Sequence, residues 1–87
     1  MVKFMHKESK KVYNLLWWAG NLKFEWYAFE KDDKNTYFGF VMNNCWSVDE
    51  FGYFDISELA EAGVKHFAFK EEEFKTLMPP FGFVKVD

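Results

Sequence analysis

Neighbouring carboxylates are the residues of this chain whose types and spacing come nearest to acid–base chemistry. They occur at Asp32/Asp33, at Asp49/Glu50, and at Glu71, Glu72 and Glu73. A catalytic pair needs burial beside a cleft so that the environment separates the two pKa values. These acids fall in expected turns and at an expected helix start, where carboxylates are favoured for structural reasons alone. We therefore expect solvated turns and caps at these positions.

Nucleophiles and metal ligands are too scattered to form a recognisable site. His6 and His66 stand far apart in the sequence, and Cys45 is the one cysteine, whereas structural zinc sites use four clustered ligands. Cys45 is expected to be a small buried hydrophobe in a reducing compartment. No phosphate-binding loop, dinucleotide motif or nucleophile elbow occurs. The sequence thus predicts no cofactor, no metal and no enzymatic activity.

Aromatic residues are the most unusual part of the composition. The 87 residues include 12 Phe, 4 Trp and 4 Tyr. A domain this small buries only about 60–65% of the surface of its unfolded chain, so some rings are expected to stay exposed. Exposed rings bordered by charge are typical of binding surfaces. Trp17, Trp18 and Phe29 are the rings least expected to be buried together.

Charge is distributed unevenly around a formal net charge of −3. Residues 1–31 carry six Lys and three Glu, whereas residues 32–87 carry five Lys and eleven acids. Every cation is a lysine, so the residue best suited to bidentate recognition of guanine or phosphate is missing. This composition counts against sequence-specific DNA binding. Apolar runs are far shorter than the roughly 20 residues that span a bilayer, so we expect a cytoplasmic protein.

Residue patterns predict one small α+β domain over residues 1–87, with an antiparallel sheet of about four or five strands and one or two short helices. Residues 1–11 form either a short strand or a loose basic arm. Residues 10–19 fit helical spacing, but residues 15–18 equally fit an apolar strand. Residues 19–21 then suggest a turn.

Clearer signals follow in the middle of the chain. Residues 22–30 alternate, with Trp26 and Ala28 on one face and Tyr27 and Phe29 on the other. A polar turn at 31–35 and a β-rich stretch at 36–42 complete a predicted hairpin. Residues 45–48 predict a short strand or a loop, and residues 51–54 a further strand.

The remaining elements are predicted mainly from their ends. Asp55 begins a capping box that starts a short helix, and Gly63 is the expected stop. Residues 64–69 alternate as a strand, with Val64, His66 and Ala68 on one face. A helix over 70–77 and an edge strand over 81–86 end the domain.

Three segments in the middle of the chain resemble a widespread family of small domains of unknown function, encoded on bacterial plasmids, conjugative elements and phages. The segments are WYAFEKDD (26–33), YFGFV (37–41) and DEFGYFDISEL (49–59). The residues that carry the resemblance are Trp26, Tyr27, Glu30, Asp32, Phe38, Gly39, Val41, Glu50, Gly52, Tyr53, Phe54, Ile56, Glu58 and Leu59. The resemblance implies a mobile-element accessory protein and no particular activity. Glu30 and Glu50 are expected to fix the sheet by hydrogen bonding.

The function expected from these observations is protein–protein binding in a bacterial host cell, as an inhibitor of a defence system of the anti-CRISPR or anti-restriction type. The target is a host protein or protein–nucleic-acid complex, such as a defence nuclease, whose basic groove the acids occupy while the rings anchor the contact. The expected partner-binding residues are Trp17, Trp18, Tyr27, Asp32, Asp33, Glu71, Glu72 and Glu73.

Two alternatives stay open. The first is a single-strand nucleic-acid platform that combines an aromatic sheet face with Lys3, Lys7, Lys10 and Lys11. The acids beside the rings argue against it, because they repel phosphates. The second is a homodimer whose rings bury one another.

Overall fold

Strands dominate the described part of the chain, residues 1–43 and 49–86 of a computed structural model, where they form two antiparallel sheets accompanied by two short helices. The strands are β1 (Lys3–His6), β2 (Val12–Asn14), β3 (Trp17–Gly20), β4 (Phe24–Lys31), β5 (Thr36–Asn43), β6 (Glu50–Asp55), β7 (His66–Ala68) and β8 (Phe83–Val86). The helices are α1 (Ile56–Glu61) and α2 (Glu71–Phe74). The coarse α+β prediction is confirmed in a sheet-dominated form.

The expectation of a single sheet is wrong. One sheet has three strands in the order β2-β1-β8, and the other has five in the order β6-β5-β4-β3-β7. The N-terminal segment is a central strand and no loose arm, because β1 pairs with β2 on one side and with β8 on the other. Strand β8 lies at an edge, as predicted, but in the smaller sheet.

The chain crosses from the small sheet to the large one at two adjacent residues. The Leu15 N–H donates to the Val2 carbonyl at 2.9 Å, and the Leu16 N–H donates to the Ala28 carbonyl at 2.8 Å. These long-range bonds favour the strand interpretation of residues 10–19 over the helical one. Local spacing fitted both structures, and pairing with distant segments decided between them.

Apolar side chains form two cores, one on each face of the five-stranded sheet. The sheet–sheet core lies between the two sheets and includes Phe4, Tyr13, Leu15, Tyr27, Phe29, Phe40, Ala68, Phe74 and Phe83. The helix-side core lies under α1 and includes Trp17, Ala19, Trp26, Ala28, Phe54 and Val64. The predicted alternation of β4 is confirmed, since Tyr27 and Phe29 enter the first core while Trp26 and Ala28 enter the second.

Helix α1 begins and ends where the sequence predicted. The Asp55 carboxylate accepts hydrogen bonds from the backbone N–H groups of Ser57 and Glu58, and Gly63 has a φ of +89° after the last turn. Helix α2 is shorter than the predicted 70–77, since it ends at Phe74. Among the described residues, no helix is long and apolar enough to cross a membrane.

Two other predictions concern residues 64–69 and residues 45–48. The alternation over residues 64–69 holds from His66 to Phe69, since the Phe67 and Phe69 rings stack on the side opposite Ala68. It fails at Val64, which lies before β7 and packs in the helix-side core with Phe67 rather than on the side of Ala68. The predictions for Cys45 and for a strand or loop at residues 45–48 fall outside the described residues.

Candidate binding groove

Part of the five-stranded sheet carries a groove on the face that forms the sheet–sheet core. Two adjoining cavities, of about 540 and 690 Å³, make up this groove. Both are bordered by Trp18, Glu25 and His66. The first extends towards the segment after α2, and the second towards the turn between β3 and β4. We call the first cavity the acidic end of the groove and the second the lysine end.

Strand register explains why these side chains meet. Gly20 of β3 pairs with His66 of β7 and with Glu25 of β4, and Glu25 pairs in turn with Met42 of β5. Residues paired directly across a sheet point to the same face. The next row along the strands pairs Ala68, Trp18 and Tyr27 in the same way. The floor of the acidic end is therefore built from two neighbouring rows of four strands.

Gly20 gives the Trp18 indole its place on this floor. A Cβ atom at Gly20 lies 3.0 Å from Trp18 Cζ2 and 3.5 Å from Glu25 Cγ, so the indole rests directly over the glycine backbone. The His66 ring meets the indole edge-on, with centroids 5.2 Å apart. A larger residue at position 20 displaces the indole from between Glu25 and His66.

Tyr27 is the most deeply buried polar residue of the groove, with 2% of its surface exposed. Its hydroxyl donates to Glu25 Oε2 over 3.4 Å. Burial raises the pKa of Tyr27 well above its usual range, and the negative charge of Glu25 raises it further. The Trp18 indole N–H lies towards the Tyr27 hydroxyl and partly offsets the rise in the pKa of Tyr27. Among the described residues, this N–H has no hydrogen-bond partner of acceptable geometry.

Glu25 is a partly buried carboxylate that forms no ion pair with any cation of the described chain. Among the described residues, neither Lys23 nor Lys65 reaches it within salt-bridge distance, although both line the lysine end. Within residues 1–43 and 49–86, the one hydrogen bond to its carboxylate is the long contact from Tyr27. Glu73 adds a second carboxylate to the acidic end. Two acids thus share a cavity with the Trp18 and Tyr27 side chains, and no lysine in the described part of the chain lines it.

Apolar side chains border the groove at both ends. Leu22 is 97% exposed beside the lysine end, and Met78 is 76% exposed beside the acidic end. Leu77 and Pro79 continue the wall next to Met78. Exposed apolar side chains around a partly polar cavity are typical of surfaces that bind other molecules.

The expected aromatic anchors are only partly at the surface. Trp17 is 1% exposed and lies in the helix-side core, so its side chain is not at the surface where an anchor was expected. Tyr27 is also buried, and only its polar end borders the groove. Trp18 is partly exposed and lines both cavities. Adjacent strand residues point to opposite faces, which separates Trp17 from Trp18.

The expected acidic residues are divided between four places. Asp32 and Asp33 are exposed in the turn between β4 and β5, where the Asp33 carboxylate accepts a hydrogen bond from the Lys34 N–H at 2.7 Å. Glu71 pairs with the N-terminal ammonium at 2.6 Å, and this hydrogen bond lowers the pKa of Glu71. Glu72 is exposed outside both cavities, whereas Glu73 lines the acidic end.

The residues of the family resemblance serve mainly the fold. Gly39 lies against the Tyr27 carbonyl, and its partner across the strands is Gly52, where a Cβ atom meets nothing within 4 Å. Tyr53 is exposed on β6, at the opposite edge of the sheet from β7. The predicted hydrogen-bonding role of Glu30 and Glu50 is wrong, since both are exposed and neither carboxylate accepts a hydrogen bond among the described residues. Trp26 and Phe54 lie in the helix-side core, and Glu58 is exposed on α1.

Sequence reasoning missed Glu25, His66 and Met78 as members of one site. The alternation of β4 did place Glu25 on the face of Tyr27, and this was the available signal. The approach of residues 76–79 to β4 and β7 depends on contacts between segments far apart in the chain, which no local pattern encodes. Within the described residues, no three His, Cys, Asp or Glu side chains are grouped to hold a metal ion.

Comparison of the chain with protein-family models, with curated proteins and with solved structures gives no match. The family resemblance therefore stays a prediction from the three sequence segments.

Proposed function

We propose that this chain is a non-catalytic binding protein that contacts another protein through the groove. The observation that carries the proposal is the meeting of Trp18, Glu25, Tyr27 and Glu73 in one cavity of about 540 Å³, which the exposed Met78 borders. Aromatic anchors surrounded by a polar rim are typical of protein interfaces. No hydrogen bond joins His66 to a carboxylate among the described residues, which favours binding over acid–base catalysis.

In its more specific form, the proposal is that the chain is a mobile-element accessory protein that inhibits a host defence complex. Its net charge of −3 and its exposed acids suit a partner with a basic surface. Enzymes that handle nucleic acids carry such surfaces, because they must neutralise phosphates. An anti-CRISPR or anti-restriction inhibitor acts by occupying one of them.

The sheet geometry favours this class over a single-strand nucleic-acid platform. Such platforms stack bases on exposed rings of neighbouring strands. Here Tyr53, Phe69 and Phe81 are the exposed rings of the described residues, and no ring contact joins any two of them. The Lys11 ammonium lies 5.3 Å from the centre of the Tyr13 ring, but that ring is buried in the sheet–sheet core.

Phage plating in cells tests the proposal. Bacteria with an active CRISPR or restriction system are challenged with a targeted phage, with and without expression of this chain. We expect the chain to raise plating efficiency, and a variant of the groove border, Leu22→Ser with Met78→Ser, to lose the effect. Tyr53→Ser is the matched control, since Tyr53 is also well exposed, at 66%, but lies on β6 at the edge of the sheet opposite β7.

Each outcome has a distinct meaning. Plating that stays unchanged in every system tested contradicts the inhibitor form of the proposal. If the groove-border variant keeps the effect on plating and Tyr53→Ser loses it, the contact lies elsewhere on the surface. Affinity capture from lysates with and without nuclease treatment tests the single-strand nucleic-acid platform. If the chain retains partners only while nucleic acid is intact, the platform is favoured.

A further inference from the structure

The acidic end of the groove combines a cavity with an incompletely neutralised charge. Glu25 is partly buried, its one hydrogen-bond donor is a hydroxyl 3.4 Å away, and no cation reaches it among the described residues. A carboxylate withdrawn from water is stabilised most by a charged donor. Glu73 lines the same cavity, so the local charge is that of two acids.

The walls of this cavity also suit a cation. The Trp18 indole forms the aromatic part of its floor, the polar end of Tyr27 borders it, and Met42, Leu77 and Met78 are apolar. Aromatic faces attract ammonium and guanidinium groups, and the long apolar stems of Lys and Arg pack on apolar walls while the charged head finds its partner. Lys23 and Lys65 line only the lysine end, so that among the described residues no lysine lines the acidic end and His66 is the one basic side chain there.

We infer that the acidic end is a recognition site for one basic side chain, Lys or Arg, that the partner protein inserts between Glu25 and Glu73. This inference rests on the proposed protein-binding function and names the chemistry that the groove recognises. The stem of the side chain lies along Met42 and Met78, and its head lies beside Glu25. Arg is favoured over Lys, since its planar guanidinium can donate to a carboxylate and stack on an indole at once.

Titration with Nα-acetyl-arginine amide, followed by the Trp18 indole resonance in ¹H–¹⁵N spectra, tests the site. The resonance is assigned from the spectrum of Trp18→Phe. We expect a saturable shift with an affinity on the order of millimolar, as befits a single side chain. Nα-acetyl-citrulline amide has nearly the same shape without the charge, and it is expected to cause no shift at the same concentration.

Variants locate the binding. Glu25→Gln is expected to weaken binding of the arginine probe about tenfold, because a hydrogen bond to a charged group is replaced by one to an amide. Glu73→Gln is expected to weaken it less, because Glu73 is exposed. Asp33→Asn is the control, since it removes one negative charge from the turn between β4 and β5 and leaves the groove unchanged. Urea unfolding of each variant checks that the fold is retained.

Three results overturn the inference: no shift with the arginine probe, an equal shift with citrulline, or unchanged affinity in both Glu25→Gln and Glu73→Gln. These results are distinguishable from failure of the proposed function. If the probe binds as expected but the chain has no effect on phage plating, the cation site stands and the inhibitor proposal fails. If plating depends on Leu22 and Met78 while the probe does not bind, the opposite holds.

Discussion

Gly39 and Gly52 offer a matched pair of substitutions, since each is a mid-strand glycine and they are direct partners across β5 and β6. A Cβ atom at Gly39 collides with the Tyr27 carbonyl oxygen and comes within 2.9 Å of Phe54 Cζ. A Cβ atom at Gly52 meets nothing within 4 Å. The same chemical change, Gly→Ala, should therefore have opposite effects at two adjacent positions.

The expected magnitudes are large enough to separate. Overpacking costs about 1–3 kcal/mol when side chains can move aside. The obstacle at Gly39 is a backbone carbonyl of β4, so we expect Gly39→Ala to lower the free energy of unfolding by at least about 3 kcal/mol, out of roughly 4–13 kcal/mol for a chain of this length. Gly52→Ala should raise it by about 0.4–1 kcal/mol, because alanine restricts the unfolded chain.

Urea unfolding followed by tryptophan fluorescence measures both effects. With equal slopes, a displaced midpoint reports a change in stability. In a thermal scan, Gly39→Ala should melt roughly 12–24 °C below the wild type, at about 4–8 °C per kcal/mol. Equal stability of the two variants, or a Gly39→Ala chain as stable as the wild type, refutes the close packing of β5 on the Tyr27 carbonyl.

Three further predictions concern charge and burial. Asp55→Ala should melt at a lower temperature than Asp55→Asn in thermal scans, because asparagine can still cap α1. The hydrogen bond from Ser57 lowers the pKa of Asp55, so the ionised carboxylate stabilises the fold at pH values above the ordinary aspartate range. This stabilisation is lost as the pH falls below that range. The raised pKa of Tyr27 means that its neutral form stabilises the fold, and this stabilisation is lost as the pH rises above about 10. In urea unfolding across that pH range, Tyr27→Phe should therefore lose less stability than the wild type. Tyr53→Phe should follow the wild type, because Tyr53 is exposed. Trp17→Ala should cost about 3–5 kcal/mol in urea unfolding, and a cost under about 1 kcal/mol contradicts its burial in the helix-side core.

Local signals in the sequence were sufficient where local bonds determine the structure. The cap at Asp55 and the stop at Gly63 were predictable because each depends on residues within one or two turns. The two faces of β4 were predictable because alternation is a property of a single strand. These elements also gave the correct class of fold.

Long-range pairing limited the rest. Strand β1 lies between β2 and β8, and nothing in its own residues indicates that the last strand of the described chain is its partner. Trp17 and Trp18 were both expected to be anchors, because the segment fitted a helix as well as a strand. As residues of a strand, they point to opposite faces, and only Trp18 reaches the groove. The groove shares this limit, since Glu73 and Met78 reach Trp18 only through the tertiary fold.

Site-specific photocrosslinking in the bacterial cell tests the central claim, that a partner protein binds in the groove, most directly. A photoreactive amino acid replaces Met78 beside the acidic end, and in a control chain it replaces Tyr53 on the opposite edge strand. We predict one main protein adduct from position 78, joined through a peptide that contains Lys or Arg, weakened by Glu25→Gln and absent from position 53. Adducts of equal yield at both positions, or an adduct at position 53 alone, contradict the claim.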